Sequence, residues 1–554
     1  MKVKQLFNNP SDITIEDYIS KHGVDDVEKY LKPTKDCIEK LEHYDGMFRG
    51  WDTIVTAMKQ SRTSTEQHQD IYLIQDSDVD GLCSASIIYQ YLKQLNPNIN
   101  INVLFHTKKT HGITDEILEQ VADGCLIIIP DASVNSKKYQ DIIESRNISV
   151  VQTDHHDIKI DNGKTIVCIN NQFGDVENKS LSGAGVTHKF CQYIDSQVGK
   201  KFASQYVDLV ALSIVSDSCS MLTYENRAYL AVGLNKINNP CYKYLCENFI
   251  KKDTISPIDL SFNVINVLNA VQRSDNQALK ERIFRCFVGE DDNYKSLLTA
   301  CRKEKRLQDD DVKEAIEMAD IVETDKLVIA TTQDATALSG LLANKLMSKY
   351  QRPVFVVHED ENVQGKILGS CRSPVPIREQ IADSGLCIYA AGHPPAFGVA
   401  YFSSNTDNLI DYCNQLDLED TSEYNVIFSI DSRNLSKIPD KLYDFTEENY
   451  QLFGNDLPSP KIHVKGIKTK GEYIYEMGNG STIKLLLGDV TAIKFFCSKE
   501  YRESIHVGEK IPLDIELVGT LQWNEWNGEK YKQIKVEQLD VKVGNDKLTI
   551  DDLW

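Results

Sequence analysis

The sequence predicts an α/β protein that ends in a small all-β unit. Three observations carry that expectation. Between residues 71 and about 235, short apolar runs alternate with stretches of helical periodicity, the pattern of parallel strands joined by helices. A second alternation of this kind opens near 323. From about 461, strand-like runs separated by turn residues replace the helices, which suggests a small β-barrel or sandwich.

At 554 residues the chain exceeds a single hydrophobic core, so three or four domains are expected. Residues 1–70 read as mostly helical and peripheral, with "GWDTIVTAMKQS" as an amphipathic stretch ahead of the first strand. Residues 71–235 hold the runs "IYLI", "INVLF", "CLIIIP", "ISVVQ" and "TIVCI" and form the first α/β domain. Residues 236–322 are charged and helix-periodic with little Gly or Pro, a helical connector. Residues 323–420 start with "KLVIATT", "RPVFVVHED" and "GKILGSCRS" and make a smaller α/β domain, with "ALSGLLANKLMSKY" as its first helix. Residues 421–554 hold "STIKLLL", "IPLDIELVGTL" and "YKQIKVEQLDV".

With 41% apolar and 26% charged residues, the composition is that of an ordered soluble protein. No run approaches the roughly 18–20 apolar residues of a membrane span. The opening "MKVKQLFNNPSDITIEDY" lacks a secretory signal. Fourteen cysteines, scattered and without a C-x-x-C pair, read as reduced thiols of a cytoplasmic protein. A net charge of −21 argues against attachment to nucleic acid by bulk positive charge.

Acids and histidines fall where apolar runs end. "IYLIQDSDVDG" finishes on Asp76, Asp78 and Asp80, "CLIIIPDAS" on Asp131, and "ISVVQTDHH" on Asp154, His155 and His156. "VDLVALSIVSDS", strand or helix, finishes on Asp217. Ligand sites of open α/β sheets lie outside the carboxyl ends of their strands, so these groups gather round one crevice. Clustered carboxylates stay ionised only beside a cation. An oxygen-rich set with imidazole and no thiolate favours Mn2+ or Mg2+ over zinc. Two such ions about 3.5–4 Å apart suit in-line attack of an activated water on a phosphoryl group. A calcium loop is excluded, because Ile87 stands where its closing glutamate belongs.

The order "DSDVDG", "PDAS", "TDHH", "VSDS" resembles the four motifs of the DHH phosphoesterase superfamily. "LSGAGVTHKF" (181–190), "YENR" (224–227), "GSCRS" (369–373) and "AAGHPPAFG" (390–398) resemble segments of the RecJ single-strand-specific exonucleases. "FGNDLPSP" and "WNGEKYKQIKVEQLDV" are similar to that family's approach to, and last strands of, an OB-like domain. The resemblance covers roughly residues 70–541. It implies a DHH domain, a DHHA1-type second α/β domain and an OB-like barrel. It further implies two Mn2+ or Mg2+ ions held by Asp76, Asp78, Asp80, Asp131, His155 and Asp217. Asp80 also counts among its catalytic groups, with His156 on the scissile phosphate and Asp154 orienting the histidine pair. In the second domain it implies Ser370, Arg372, Gly392 and His393 as substrate contacts.

Three positions depart from the pattern: Ala391 for a glycine, "DASVNS" after Asp131, and Asn171-Gln172 in place of N-P-N. The longer relatives' additional C-terminal domain is not recognised. In the tail, Lys465, Lys468 and Lys470 beside Tyr473 and Tyr475, with Trp523, Trp526, Tyr531 and Lys532, suit single-strand binding by phosphate tracking and base stacking. Burial of the two tyrosines is an equal expectation. Lys108, Lys109 and His111 form either part of a basic path or a solvated edge.

The expected activity is 5′→3′ degradation of single-stranded DNA in repair, recombination or replication, the direction resting on the resemblance alone. Single-stranded DNA is the expected partner, with a helicase or single-strand binding protein left open, for a monomer in a bacterial or phage-infected cytoplasm. The rivals are a phosphodiesterase of short oligonucleotides or cyclic dinucleotides, and a catalytically silent scaffold.

Overall fold

The computed structural model describes residues 2–8, 13–63, 70–107, 110–134, 136–157, 165–252, 254–333, 338–360, 363–416, 423–478 and 480–544. The chain forms two compact units. One consists of Tyr18–Gln308 with Gln451–Pro458, and the other of Met1–Asp17, Asp309–Tyr450 and Ser459–Trp554.

The first unit is built on five parallel strands, β1 (Ile71–Gln75), β2 (Asn102–Phe105), β3 (Leu126–Pro130), β4 (Ser149–Asp154) and β5 (Ile166–Asn170), in the order β2-β1-β3-β4-β5. The strands are apolar without alternation because helices cover both faces of a parallel sheet. All five residues of β3 are buried. Chain order reverses between β1 and β3, and at such a switch point the connections leave on opposite faces and open a crevice.

Helix α1 (Val79–Leu95) starts at this point with Asp78 as its N-cap, the carboxylate accepting from Gly81 N at 3.1 Å. The run ending in Asp217, open between strand and helix in the sequence, is a helix. It follows α2 (Gly183–Val198) as α3 (Val207–Ser216), ahead of α4 (Tyr224–Gly233) and α5 (Gln277–Phe287).

The second unit holds a six-stranded sheet. Its strands are β6 (Asp320–Glu323), β7 (Val328–Thr331), β8 (Val354–Glu359), β9 (Lys366–Arg372), β10 (Cys387–His393) and β11 (Ala396–Phe402), in the order β10-β11-β9-β8-β7-β6. Helix α6 (Ser339–Tyr350) joins the single parallel pair, β7 and β8.

After β12 (Ser429–Asp431) and helix α7 (Lys441–Glu448) come β13 (Ile462–Lys470), β14 (Ile474–Met477), β15 (Thr482–Leu487), β16 (Val490–Lys494), β17 (Pro512–Trp526) and β18 (Glu529–Val543). Their order is β12-β13-β17-β18-β16-β15-β14. Gly519 sits at a bulge in β17, where a Cβ would come within 2.5 Å of the Lys535 carbonyl.

The N-terminal segment adds a strand to its helices: Lys2–Gln5 pairs in parallel with Glu423–Val426. The partner lies some four hundred residues away, beyond the reach of local periodicity. All fourteen cysteines are unpaired, and twelve of them are buried. Among the described residues, no helix is long and apolar enough to cross a membrane.

Candidate metal centre

The carboxyl ends of β1, β3 and β4 and the C-cap of α3 place the predicted acids and histidines together. Potential ligand atoms of Asp76, Asp78 and Asp131 lie within 4.8 Å of one another, as do those of Asp80, His155 and Asp217. Asp131 links the groups, with Oδ1 3.2 Å from His155 Nε2. His155 Nδ1 stands 3.6 Å from Asp217, and its Nε2 3.8 Å from Asp80.

Local backbone creates this proximity. Asp131 adopts a left-handed conformation with φ of 64°, unusual for a residue with a side chain. Gly81 allows the first turn of α1 to press on Asp76, since a Cβ there would lie 2.7 Å from the Asp76 carbonyl oxygen. Gly183 opens α2 directly against the Asp131 carboxylate.

Asp80 anchors that helix start. It accepts from Gly183 N and Ala184 N at 2.8 Å each, and from the hydroxyls of Ser213 at 2.6 Å and Ser84 at 3.2 Å. A carboxylate on the first N–H groups of a helix is favoured by the dipole as well. Only one of these bonds falls on Oδ2, so that oxygen keeps acceptor capacity towards His155.

Burial pushes the Asp131 carboxyl well above the usual range, and the charges of Asp80, Asp78, Asp76 and Asp217 add to it. Burial also raises Asp76, with Asp78 contributing. Asp217 is pushed up to about 6 by burial, against the His155 imidazole that lowers it. Such a cluster repels its own ionised form until a cation enters. Asp131 Oδ1 and His155 Nε2, both buried, face each other at 3.2 Å without hydrogen-bond geometry, and neither has another hydrogen-bond partner. The donor set fits divalent cations that prefer oxygen with some imidazole.

Asp154 lies beneath the histidines. It accepts from His155 N at 2.8 Å, His156 N at 3.3 Å, His156 Nδ1 at 2.8 Å, and the Ser133 hydroxyl. Burial opposes its ionisation, but the bond to His156 and the charges of His156 and His155 outweigh that and hold it below the usual range. The same bond raises His156 to about 9 against the pull of burial.

Several contributors carry no signal as isolated residues. Ser133, in the departing "DASVNS", holds Asp154. Asn170 and Gln172 donate to the backbone carbonyls of His156 and His155 at 3.0 and 2.8 Å, so the departure at "NNQ" supplies the strap for the histidine pair. Their position at the end of β5, Asn170 as its last residue and Gln172 two beyond, was the one available clue. His111, half-exposed, reaches the acid cluster: its Nδ1 lies 2.5 Å from Asp76 Oδ2. Lys108 and Lys109 fall outside the described residues.

Beyond the Gly183 and Ala184 contacts at the centre, the family-like segments "LSGAGVTHKF" and "YENR" serve packing through Lys189 and Glu225. Lys189 is fully buried, pairs with Glu225, and donates to the Glu39 carbonyl at 2.6 Å.

Comparison with known proteins agrees with this fold. Residues 70–214 match the DHH family, N-terminal domain, and residues 434–538 the RecJ OB domain. A Bacillus subtilis (strain 168) protein, provisionally named SPbeta prophage-derived single-strand DNA-specific exonuclease YorK, is 26% identical over 94% of this chain and 95% of its own length. The single-stranded-DNA-specific exonuclease RecJ of the same organism is 22% identical over 94% of this chain and 67% of its own. The fold matches the crystal structure of Thermus thermophilus RecJ in complex with Mn2+ with a TM-score of 0.70, at 18% identity, over 95% of this chain and 75% of that one. The chain therefore carries a segment like the DHH family's N-terminal domain and a segment like the RecJ OB domain.

In the second unit, sheet register aligns the predicted contacts. Arg372 on β9 stands opposite Ala396 on β11, which stands opposite His393 on β10. Directly opposed residues share a face, so Arg372 and His393 project from the same side. Ser370, Gly398 and Ala391 form the next row of that face, and the Ser370 hydroxyl lies 2.9 Å from that of Ser339 at the start of α6. Gly392 has φ of 131°, which closes the turn at Pro394-Pro395.

In the OB region Tyr473 and Tyr475 are half-exposed and line a groove of about 600 Å³ with Lys468 and Arg433. Trp526 is exposed at the tip of the β17–β18 hairpin. Trp523 departs from expectation. Its indole packs on Tyr443 at 5.2 Å and donates to Asp444 at 2.7 Å, so it anchors α7 and its edge is no longer free for bases.

Proposed function

We propose that this chain is a metal-dependent exonuclease that hydrolyses single-stranded DNA from the 5′ end, in repair, recombination or replication. The observation that carries the reading is the convergence of Asp76, Asp78, Asp80, Asp131, His155 and Asp217 at the sheet's switch point, with two buried ligand atoms lacking a protein partner. The names of its relatives supply the substrate class.

Asp76, Asp78 and Asp131 would hold one cation, and Asp80, His155 and Asp217 a second. Two ions bound there, Mn2+ or Mg2+, would supply Lewis acidity at the phosphodiester and lower the pKa of the attacking water. His156, kept cationic by Asp154, presents positive charge to the phosphate as it gains negative charge. Asp154 also fixes the backbone of the pair, so the imidazole edges need no reorganisation. In the second unit, Arg372 offers a planar fork to a strand phosphate, with Ser370 and His393 on the same face and Gly392 admitting close approach. Tyr473, Tyr475 and Trp526 offer stacking faces beside Lys468.

Digestion of 5′-labelled and 3′-labelled single-stranded and duplex DNA, with Mn2+, Mg2+ or EDTA, tests this. Immediate release of the 5′ label from single strands only, lost with EDTA and in Asp131→Asn, is the expected outcome. Release of the 3′ label first reverses the direction. Activity confined to dinucleotides would assign the chain to the small-oligonucleotide phosphodiesterases.

A further inference from the structure

A third buried side-chain atom near this centre also lacks a hydrogen-bond partner, His106 Nε2. His106 follows β2, outside every motif that identified the other ligands, and its side chain is 1% exposed. Its Nε2 stands 3.7 Å from Asp76 Oδ1. The other oxygen of that carboxylate is engaged by His111.

The segment carrying both histidines is fixed at each end. Lys280 on α5 donates to the His106 carbonyl at 2.7 Å, Ser77 donates to the Thr110 carbonyl at 2.8 Å, and Gly112 N reaches Asp76 Oδ1 at 3.4 Å. A buried imidazole atom held rigidly beside a ligand carboxylate, and satisfied by nothing in the protein, is an open donor.

We propose that His106 is an imidazole ligand of the cation held by Asp76, Asp78 and Asp131, adding a nitrogen donor to an otherwise all-oxygen position. The inference rests on the metal-dependent reading above. Around an octahedral ion with bonds of about 2.1 Å, adjacent donors lie about 3.0 Å apart and opposite donors about 4.2 Å, which brackets the observed separation. The imidazole binds in its neutral form, the form that burial favours at this position. A nitrogen donor favours transition-metal ions, whereas Mg2+ retains water in such a place with little loss. The site therefore discriminates for Mn2+ through His106.

Isothermal titration of the full chain with Mn2+ and with Mg2+, together with the visible absorption of the Co2+-loaded protein, tests the assignment. In His106→Gln, one of two Mn2+ sites weakens about tenfold or more while Mg2+ affinity changes less than about threefold, and the Co2+ bands shift. His106→Asn, with circular dichroism of both variants in EDTA, separates loss of a ligand from loss of fold. Two unaltered Mn2+ sites and an unaltered Co2+ spectrum in a folded His106→Gln protein overturn the proposal and leave His106 a core histidine. Failure of the unsubstituted chain to bind Mn2+ at all overturns the metal reading itself, a separate result.

Discussion

His188 shows how one side chain can be tuned by its surroundings without taking part in chemistry. Its Nε2 lies 3.0 Å from the Ala203 carbonyl, which can only accept, so Nε2 carries the proton. Nδ1 then accepts from the Tyr229 hydroxyl at 3.1 Å. Burial, with the Lys189 charge nearby, lowers its pKa to about 4. An unfolded histidine takes up its proton near 6.5, so below that pH the unfolded state binds more protons and stability falls until about pH 4. Above 6.5 the contribution is complete. Denaturant unfolding between pH 7 and 4.5 is therefore expected to show a loss that His188→Gln reduces by about 1–3 kcal/mol. Identical slopes for the two proteins would show that His188 does not carry it. Neither the shift nor the tautomer was legible in "GVTHKF", because both depend on Ala203 and Tyr229, which lie outside that stretch.

At the scale of elements, the first turn of α2 sets the Asp131 carboxylate. Gly183 lies where a Cβ would be 2.7 Å from Asp131 Cβ and Cγ. Alanine in an ordinary helix would stabilise it by about 0.5–1 kcal/mol. Here Gly183→Ala must displace either the helix start or the carboxylate. It is expected to cost about 1–3 kcal/mol of stability and to weaken Mn2+ binding about tenfold. Chemical denaturation and Mn2+ titration check it, and a stabilised variant with unchanged Mn2+ affinity would refute the account. The glycine was visible in the motif "LSGAGV". Its reason was not, since Asp131 and Gly183 are fifty-two positions apart in the chain and meet only across the sheet edge. The strand at Lys2–Gln5 was missed for the same kind of reason, its partner being Glu423–Val426.

For the whole molecule, a cluster of carboxylates that repel one another makes the folded state depend on cations. A chain with net charge −21 concentrates divalent ions around it in any case. Ligands that bind only the folded state stabilise by mass action, about 2.7 kcal/mol at a hundred times Kd. Calorimetric melting in saturating Mn2+ should rise by about 2–4 °C and return with EDTA. Asp131→Asn should lose that rise while keeping its melting temperature in EDTA. A rise preserved in the variant would place the ion elsewhere.

The sequence alone indicated the α/β regions and the all-β region, the strand ends that carry acids, and the residues of the candidate ligand cluster. These follow from periodicities of two and 3.6 residues and from the rule that ligand sites of open α/β sheets lie outside the carboxyl ends of the strands. Tertiary structure alone decided which atoms were left unsatisfied. It made Trp523 an anchor for α7, turned Lys189 and Glu225 into a buried pair, bound His111 to Asp76, and left His106 Nε2 without a partner. Such roles depend on what stands opposite a side chain in space, and a local pattern holds no information about residues a hundred positions away.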